Sequence, residues 1–311
     1  MSSFDQHLAD RARSQLGLVT LADVRAGGGS FDHVHHRVAH GAIAPRAPGV
    51  YALRSWPETA DQRLLAAILS IDGPAAVSHL AAARRYGANG YRSAPPELTV
   101  PRGTRIVRPG IRIHESTDLD RCSIRMVQGV PTTDPARTVL DLGRYVGVAR
   151  LKLNAENFRR LGLLDWPDLV STLAAHARRG RPGIRRLRAV VDAEALRRTI
   201  TDSELEMLVL SLLREAGLPE PVLHHDVWDG DRFVAEVDLA YPEQRIAIEC
   251  DGDVHLDAVV RQRDLRRQND LQLLGWLMLR FTAEDYRKRS RYIVSEVRAA
   301  LHARSGSETT I

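Results

Sequence analysis

Lysine is almost absent from this 311-residue chain: Lys152 and Lys288 are the only two, and every other basic side chain of the Lys/Arg class is arginine. The net charge of +5 and pI near 9.5 suit a polyanionic partner. Arginine richness of this kind also follows from genomic base composition, so by itself it does not identify nucleic acid as that partner. Cysteine is equally scarce. Cys122 and Cys250 give neither a disulfide framework nor a metal-ligand spacing. No apolar run approaches the roughly 20 residues that span a bilayer. The opening MSSFDQHLADRARS lacks the apolar core of a signal peptide. These absences point to the cytoplasm and away from a membrane. Repeats, heptads and low-complexity tracts are missing too. What remains is ordinary for a globular protein, 44% hydrophobic and 27% charged, and long enough for two or three domains.

The most informative stretch runs from Glu236 to His255, EVDLAYPEQRIAIECDGDVH. Alternation from Phe233 to Ala240 predicts one strand, Tyr241-Pro242-Glu243-Gln244 a tight turn, and Arg245 to Asp251 a second strand. Val237, Leu239, Ile246 and Ile248 then share one face, and Glu236, Asp238, Glu249 and Asp251 the other. A two-residue loop at Pro242 and Glu243 pairs Asp238 with Ala247, diagonal to Glu249 and about 7–8 Å away between backbones. Carboxylates that close raise each other's pKa unless a cation intervenes. A solvated acidic sheet face is the plainer alternative.

The first fifty residues carry the punctuation of a helix-turn-helix unit. A helix from Phe4 to Gln15 ends at Gly17, Thr20 caps Leu21 to Arg25, and Ser30 caps Phe31 to His40. Ile43 to Leu53 reads as a two-stranded wing. In such units the last helix enters the major groove, which makes His33, His36 and Arg37, with Arg46 on the wing, the candidate DNA contacts. Of the histidines, only His36 and His40 share a helical face at four-residue spacing, and no carboxylate or Cys completes a zinc site with them.

The middle, from Trp56 to about Leu196, reads as mixed α/β. Helices are expected over Asp61 to Ser70 and Ala75 to Tyr86, and strands over Glu97 to Val100 and Ile111 to His114. A further helix starts at Pro135 after Thr133 or Asp134, and mostly helical chain follows. Arg179-Gly180-Arg181-Pro182-Gly183 marks a basic loop. Beyond it, Thr201-Asp202-Ser203-Glu204 is a capping signature for a helix that buries Leu205, Leu208, Val209, Leu212 and Leu213, with Glu206 beside the apolar stripe. A charged helix from about Ala258 to Leu274, the strand Trp276 to Phe281, and a last helix from Ser290 to His302 complete an α/β unit with a mixed central sheet.

From about Ser203 to Leu301 the chain resembles the PD-(D/E)XK nuclease superfamily, and within it the bacterial domains related to very-short-patch-repair endonucleases. SELE at Ser203 to Glu206, VDLAYPE at Val237 to Glu243, IECDG at Ile248 to Gly252, His255, and RQRDLRRQND…LGWLMLRFT at Arg261 to Thr282 carry the likeness in the family's order. The first two sections resemble AbiEi-type antitoxins of type IV toxin–antitoxin systems. The carriers there are the N-terminal helices, SHLAAARRYG at Ser78 to Gly87, and GVPTTDPARTVLDL at Gly129 to Leu142.

The resemblance implies phosphodiester hydrolysis with Mg2+ or Mn2+. Carried over by motif position, Asp238 is the central ligand and Glu249 the second acid, Glu206 orients a water, and His255 is a general acid or base. Asp251 stands where many members carry a lysine, so it is expected to be an extra ligand instead. Arg263 and Arg266 are candidates to hold the scissile strand. Three domains are expected: a winged helix-turn-helix over 1–55, a mixed α/β segment over 56–196, a restriction-endonuclease-like domain over 197–305, with 306–311 a disordered tail. The leading expectation is a metal-dependent DNA endonuclease or nickase acting on double-stranded DNA. The alternative is a non-catalytic DNA-binding regulator of antitoxin type, with a cognate toxin as partner. An RNA-directed nuclease is a third reading, because phosphate chemistry does not distinguish the sugars.

Overall fold

The structure is a computed structural model that describes residues 3–88, 90–91, 96–253 and 267–305. It divides into two compact units, one of residues 1–142 and 154–163, the other of residues 143–153 and 164–311.

The first unit begins with α1 (Ser3–Ser14), β1 (Leu18–Thr20), α2 (Leu21–Ala26), α3 (Phe31–Ala39), β2 (Ile43–Ala47) and β3 (Val50–Leu53). Thr20 caps α2 through a full capping box with Asp23, whose carboxylate also accepts from Arg11 and Gln15. Gly27 to Gly29 end the turn. The strands form an antiparallel sheet in the order β1-β3-β2, so the two strands expected over Ile43 to Leu53 are joined by a third, the short Leu18–Thr20 run. Leu8, Ala12, Val19, Val24, Val34 and Ile43 make its core.

The rest of this unit is α4 (Ala60–Leu69), β4 (Ala76–Val77), α5 (His79–Arg85), β5 (Glu97–Pro101), β6 (Arg112–Ser116), β7 (Ile124–Val127), β8 (Val130–Thr133) and α6 (Pro135–Leu142). A mixed sheet runs in the order β6-β5-β4-β8-β7. The helix expected from Ala75 starts instead at His79. Ala76 and Val77 pair with Thr99 and Leu98 on β5, and this tertiary pairing overrides alanine's helical preference. The antiparallel pair β7–β8 was not foreseen, because Ile124, Arg125 and Met126 are exposed and show no alternation. Asp134 caps α6 as expected, its Oδ1 accepting from the Arg137 amide at 2.8 Å. Leu18, Val50 and Ala52 share a second core with Leu64, Leu65, Val77, Leu98 and Val100.

The second unit holds α8 (Trp166–His176), α9 (Ile184–Ala195), α10 (Asp202–Glu215), β9 (Val222–Asp229), β10 (Arg232–Tyr241), β11 (Ile246–Asp251), β12 (Leu277–Thr282) and α12 (Ala283–Ser305). The helix α7 (Val148–Arg160) straddles the division between units, and residues 267–273 are helical and are labelled α11. The sheet order is β12-β11-β10-β9, parallel between β11 and β12 and antiparallel elsewhere. This mixed sheet was expected, but β9 was not: only Val227 of its eight residues is buried, so its period-2 signal is faint. The helix α12 breaks at Arg289 (φ −151°, ψ 45°), which puts its second half where the final helix was expected. Among the described residues no helix is long and apolar enough to cross a membrane.

Candidate functional site

Helix α10 and strands β9 to β12 converge on the acidic residues. Thr201 caps α10 through a box with Glu204: its Oγ1 accepts from the Glu204 amide at 3.3 Å, and its amide donates to Glu204 Oε2 at 3.0 Å. That consumes Glu204 and leaves Glu206 as the acid of the SELE motif that reaches the sheet. Leu205, Leu208, Val209 and Leu213 are fully buried beside it and fix the rotation of the helix.

The hairpin register differs from the expected one. Leu239 pairs with Ile248, Ala240 with Ala247 and Tyr241 with Ile246, so the loop is four residues long and not two. The Arg245 amide closes the turn onto the Pro242 carbonyl at 3.1 Å, with Arg245 itself at φ 50°. The pairing is thus displaced by two residues, and the same register carried one step further sets Asp238 opposite Glu249 rather than diagonal to it. An even shift keeps the faces, so the expected grouping of carboxylates on one face survives.

Glu206 is buried, and its carboxyl is raised above its usual pKa by burial first and then by the neighbouring Asp238. Asp238 is raised as well, by burial and by Glu249, although the Cys250 amide donates to its Oδ2 at 2.8 Å and works the other way. Cys250 is buried with its thiol pushed far up, so it is no nucleophile. Glu249 is in a different state. Its Oε1 accepts from Arg267 and its Oε2 from Arg280, whose Nε lies 3.1 Å away. Arg280 faces Glu249 directly in the parallel β11–β12 ladder and also reaches Asp251 Oδ2 at 3.2 Å. Among the described residues no three His, Cys, Asp or Glu side chains gather as a metal-holding set. Glu206 and Asp238 nonetheless suit a hard cation: both are oxygen donors, both are desolvated, and each disfavours the other's charge.

Three contributors escaped the sequence reading. His224 on β9 places Nε2 3.6 Å from Glu206 Oε2 and Nδ1 3.6 Å from Glu236 Oε1. The only local hint is the His224-His225 pair ahead of Asp226. Arg280 stood in the apolar strand without an assigned role. Asp253 binds the Ile200 amide through Oδ2 at 2.7 Å, returns its own amide to the Ile200 carbonyl at 2.8 Å, and receives Arg287. Beside it the Gly252 amide donates to Asp202 Oδ1 at 2.8 Å, and a Cβ on Gly252 would stand 2.6 Å from the Ile200 carbonyl oxygen. These bonds fasten the end of β11 to the start of α10.

His255, Arg263, Arg266 and the tail 306–311 lie outside the described residues. Of the expected DNA contacts, His33 accepts the Ser30 amide on Nδ1 at 3.1 Å and so helps to cap α3. His36 stacks on His40 at 4.0 Å between ring centroids. Arg37 ties α3 to α1 through Asp5 at 2.6 Å, and Arg46 lies 3.4 Å from Glu58.

Residues 206–301 match the model of REase_MTES_1575, a restriction-endonuclease-like family. The C-terminal domain is therefore restriction-endonuclease-like. Two mycobacterial proteins are similar along most of the chain: uncharacterized protein MT2308 of Mycobacterium tuberculosis strain CDC 1551 / Oshkosh and uncharacterized protein Rv2248 of strain ATCC 25618 / H37Rv. Each is 25% identical over 256 residues, covering 81% of this chain and 90% of the relative.

Proposed function

We propose that the protein is a metal-dependent DNA endonuclease or nickase, with the segment α1 to β3 serving as a winged helix that holds the duplex. The observation that carries this reading is the Glu206–Asp238 pair, one acid buried and the other half-buried, both with raised pKa on a restriction-endonuclease-like domain. A divalent cation, Mg2+ or Mn2+, supplies Lewis acidity toward the scissile phosphate when bound. Asp238 and Glu206 would hold it, and Glu249 would join them by releasing its arginines. Asp251 leaves the site without the usual lysine. Arg267 and Arg280 provide positive charge at the same strand end and, once freed from Glu249, would grip the substrate phosphate bidentately. His224 is close enough to Glu206 to exchange a proton through water, and His255 keeps its expected acid–base role. In the N-terminal segment, His33, His36, Arg37 and Arg46 would line the DNA side.

The test is nicking of supercoiled plasmid with Mg2+ or Mn2+ by the full chain, beside Asp238→Asn and Glu206→Gln. The parent should nick, and each variant should be slower by at least about a hundredfold. Equal background from all three would remove the enzyme. A second reading has its own observation: Glu249 is already satisfied by Arg267 and Arg280, as in a structural ion cluster. On that reading the protein is a DNA-binding regulator of antitoxin type with a cognate toxin, and the nuclease-like domain is a scaffold. Duplex binding by the parent, with no cleavage under any metal, selects it.

A further inference from the structure

The first unit contains a cavity of about 1060 Å3, and of its lining only Arg46 enters the nuclease reading. Five arginines reach it from four places: Arg46 from β2, Arg63 from α4, Arg84 and Arg85 from α5, and Arg108 from the loop before β6. Among the described residues two carboxylates answer them. Asp61 pairs with Arg85, and Glu58 serves both Arg46 and Arg63 at 3.4 and 3.7 Å. Arg108 is held at Nε and Nη2 by the Ser70 hydroxyl and carbonyl, at 2.9 to 3.1 Å, which orients the guanidinium without neutralising it. Arg84 has no ion pair among the described residues.

Two donors have no hydrogen-bond partner among the described residues. The Arg85 side chain is only 6% exposed, and its Nε is buried without a hydrogen-bond partner. The Nε of Arg46 is likewise buried and unpartnered. Native proteins rarely leave such donors unsatisfied; the two arginines that carry them line a cavity with surplus positive charge. The planar guanidinium fork matches phosphate oxygens. Leu64, Ala67 and Ile111 give the cavity an apolar floor, and its volume is at the upper end for small-molecule sites.

We propose that this cavity binds a phosphate group carried on a planar or apolar body, as in a nucleotide. The same chemistry is available from a single nucleic-acid strand, and the experiment separates the sources. Isothermal titration of the full chain uses pyrophosphate, metal-free ATP and a short single-stranded DNA as separate titrants. It compares the parent with Arg84→Gln, Arg46→Gln and, as a control outside the cavity, Arg25→Gln. Arg84 is exposed and supports no ion pair, so its variant keeps the fold, which a melting curve checks.

Pyrophosphate or ATP should bind, roughly tenfold more weakly in Arg84→Gln and Arg46→Gln and unchanged in Arg25→Gln. Affinity should also fall as salt rises. The same variant pattern with the oligonucleotide alone supports the phosphate site and assigns a strand as its source. No binding by any titrant, or equal weakening by Arg25→Gln, overturns the proposal.

Discussion

Each unit buries a cluster of charge, and the two clusters are built in opposite ways. In the first unit Arg137, 2% exposed, donates from Nε to both Asp141 oxygens at 3.0 Å, from Nη1 to the Asp118 carbonyl at 3.2 Å, and from Nη2 to Ser116 Oγ at 3.3 Å. Burial works against its charge, but Asp141 and Asp118 more than offset that and hold its pKa above the ordinary arginine value. In the second unit Glu206 and Asp238 are both acidic and both raised. Where buried charges are paired and hydrogen-bonded, they belong to the scaffold. Where like charges face each other, a positive ligand would offset their repulsion.

Breaking the balanced cluster should have the largest effect. Arg137→Leu strands Asp118 and Asp141 in the interior and should cost about 3–5 kcal/mol in urea or thermal unfolding. Next comes acid. Beside the same cluster, His79 stacks on His114 at 3.8 Å and shares a proton contact with Ser78 Oγ at 2.9 Å. Burial lowers its pKa from 6.5 to about 4. Its folded pKa is depressed, so its contribution is present above 6.5 and lost as the pH falls toward 4, on the order of 3 kcal/mol. Hydrogen exchange of first-unit peptides should show this loss, and His79→Asn, which tolerates the φ of 54°, should abolish it.

The Glu206–Asp238 site should respond with the opposite sign. Raised carboxyls contribute fully below the ordinary acid range, and that contribution is lost as the pH rises through their folded values. The metal-free second unit should therefore loosen with rising pH across that window, and Mg2+ at neutral pH should raise its melting temperature. Loss of both effects in Glu206→Gln would sharpen the contrast; retention would break it. A steric change comes next: Gly252→Ala should cost about 1–3 kcal/mol, seen in melting, because the Ile200 carbonyl must move. Smallest is Arg37→Ala, which removes a partly exposed pair with Asp5 and should cost about 0.5 kcal/mol.

Local chemistry was the legible part of the sequence. The caps at Thr20, Asp134 and Thr201 announced their helices, because a cap and its partner lie within three residues. The acid face of the hairpin was readable from period-2 alternation, while its exact register was hidden in the turn. Strands such as the two-residue β4 and the mostly exposed β9 are set by their neighbours in the sheet, so composition could not reveal them. The same reason hid the arginine grip on Glu249. Arg280 is 31 residues from it in sequence and meets it only through the parallel ladder.

The bonds that join β11 to α10 use the Ile200 backbone, Asp202, the Gly252 amide, Asp253 and Arg287. None of them involves a carboxylate oxygen of Glu206, Asp238 or Glu249. The bonds that hold this corner of the unit are thus separable from the acids of the proposed site. A lineage can exchange the acids for neutral residues and keep the fold, or recruit the fold for binding alone. A relative lacking Glu206 or Asp238 but keeping Asp202, Gly252 and Asp253 would be such a descendant.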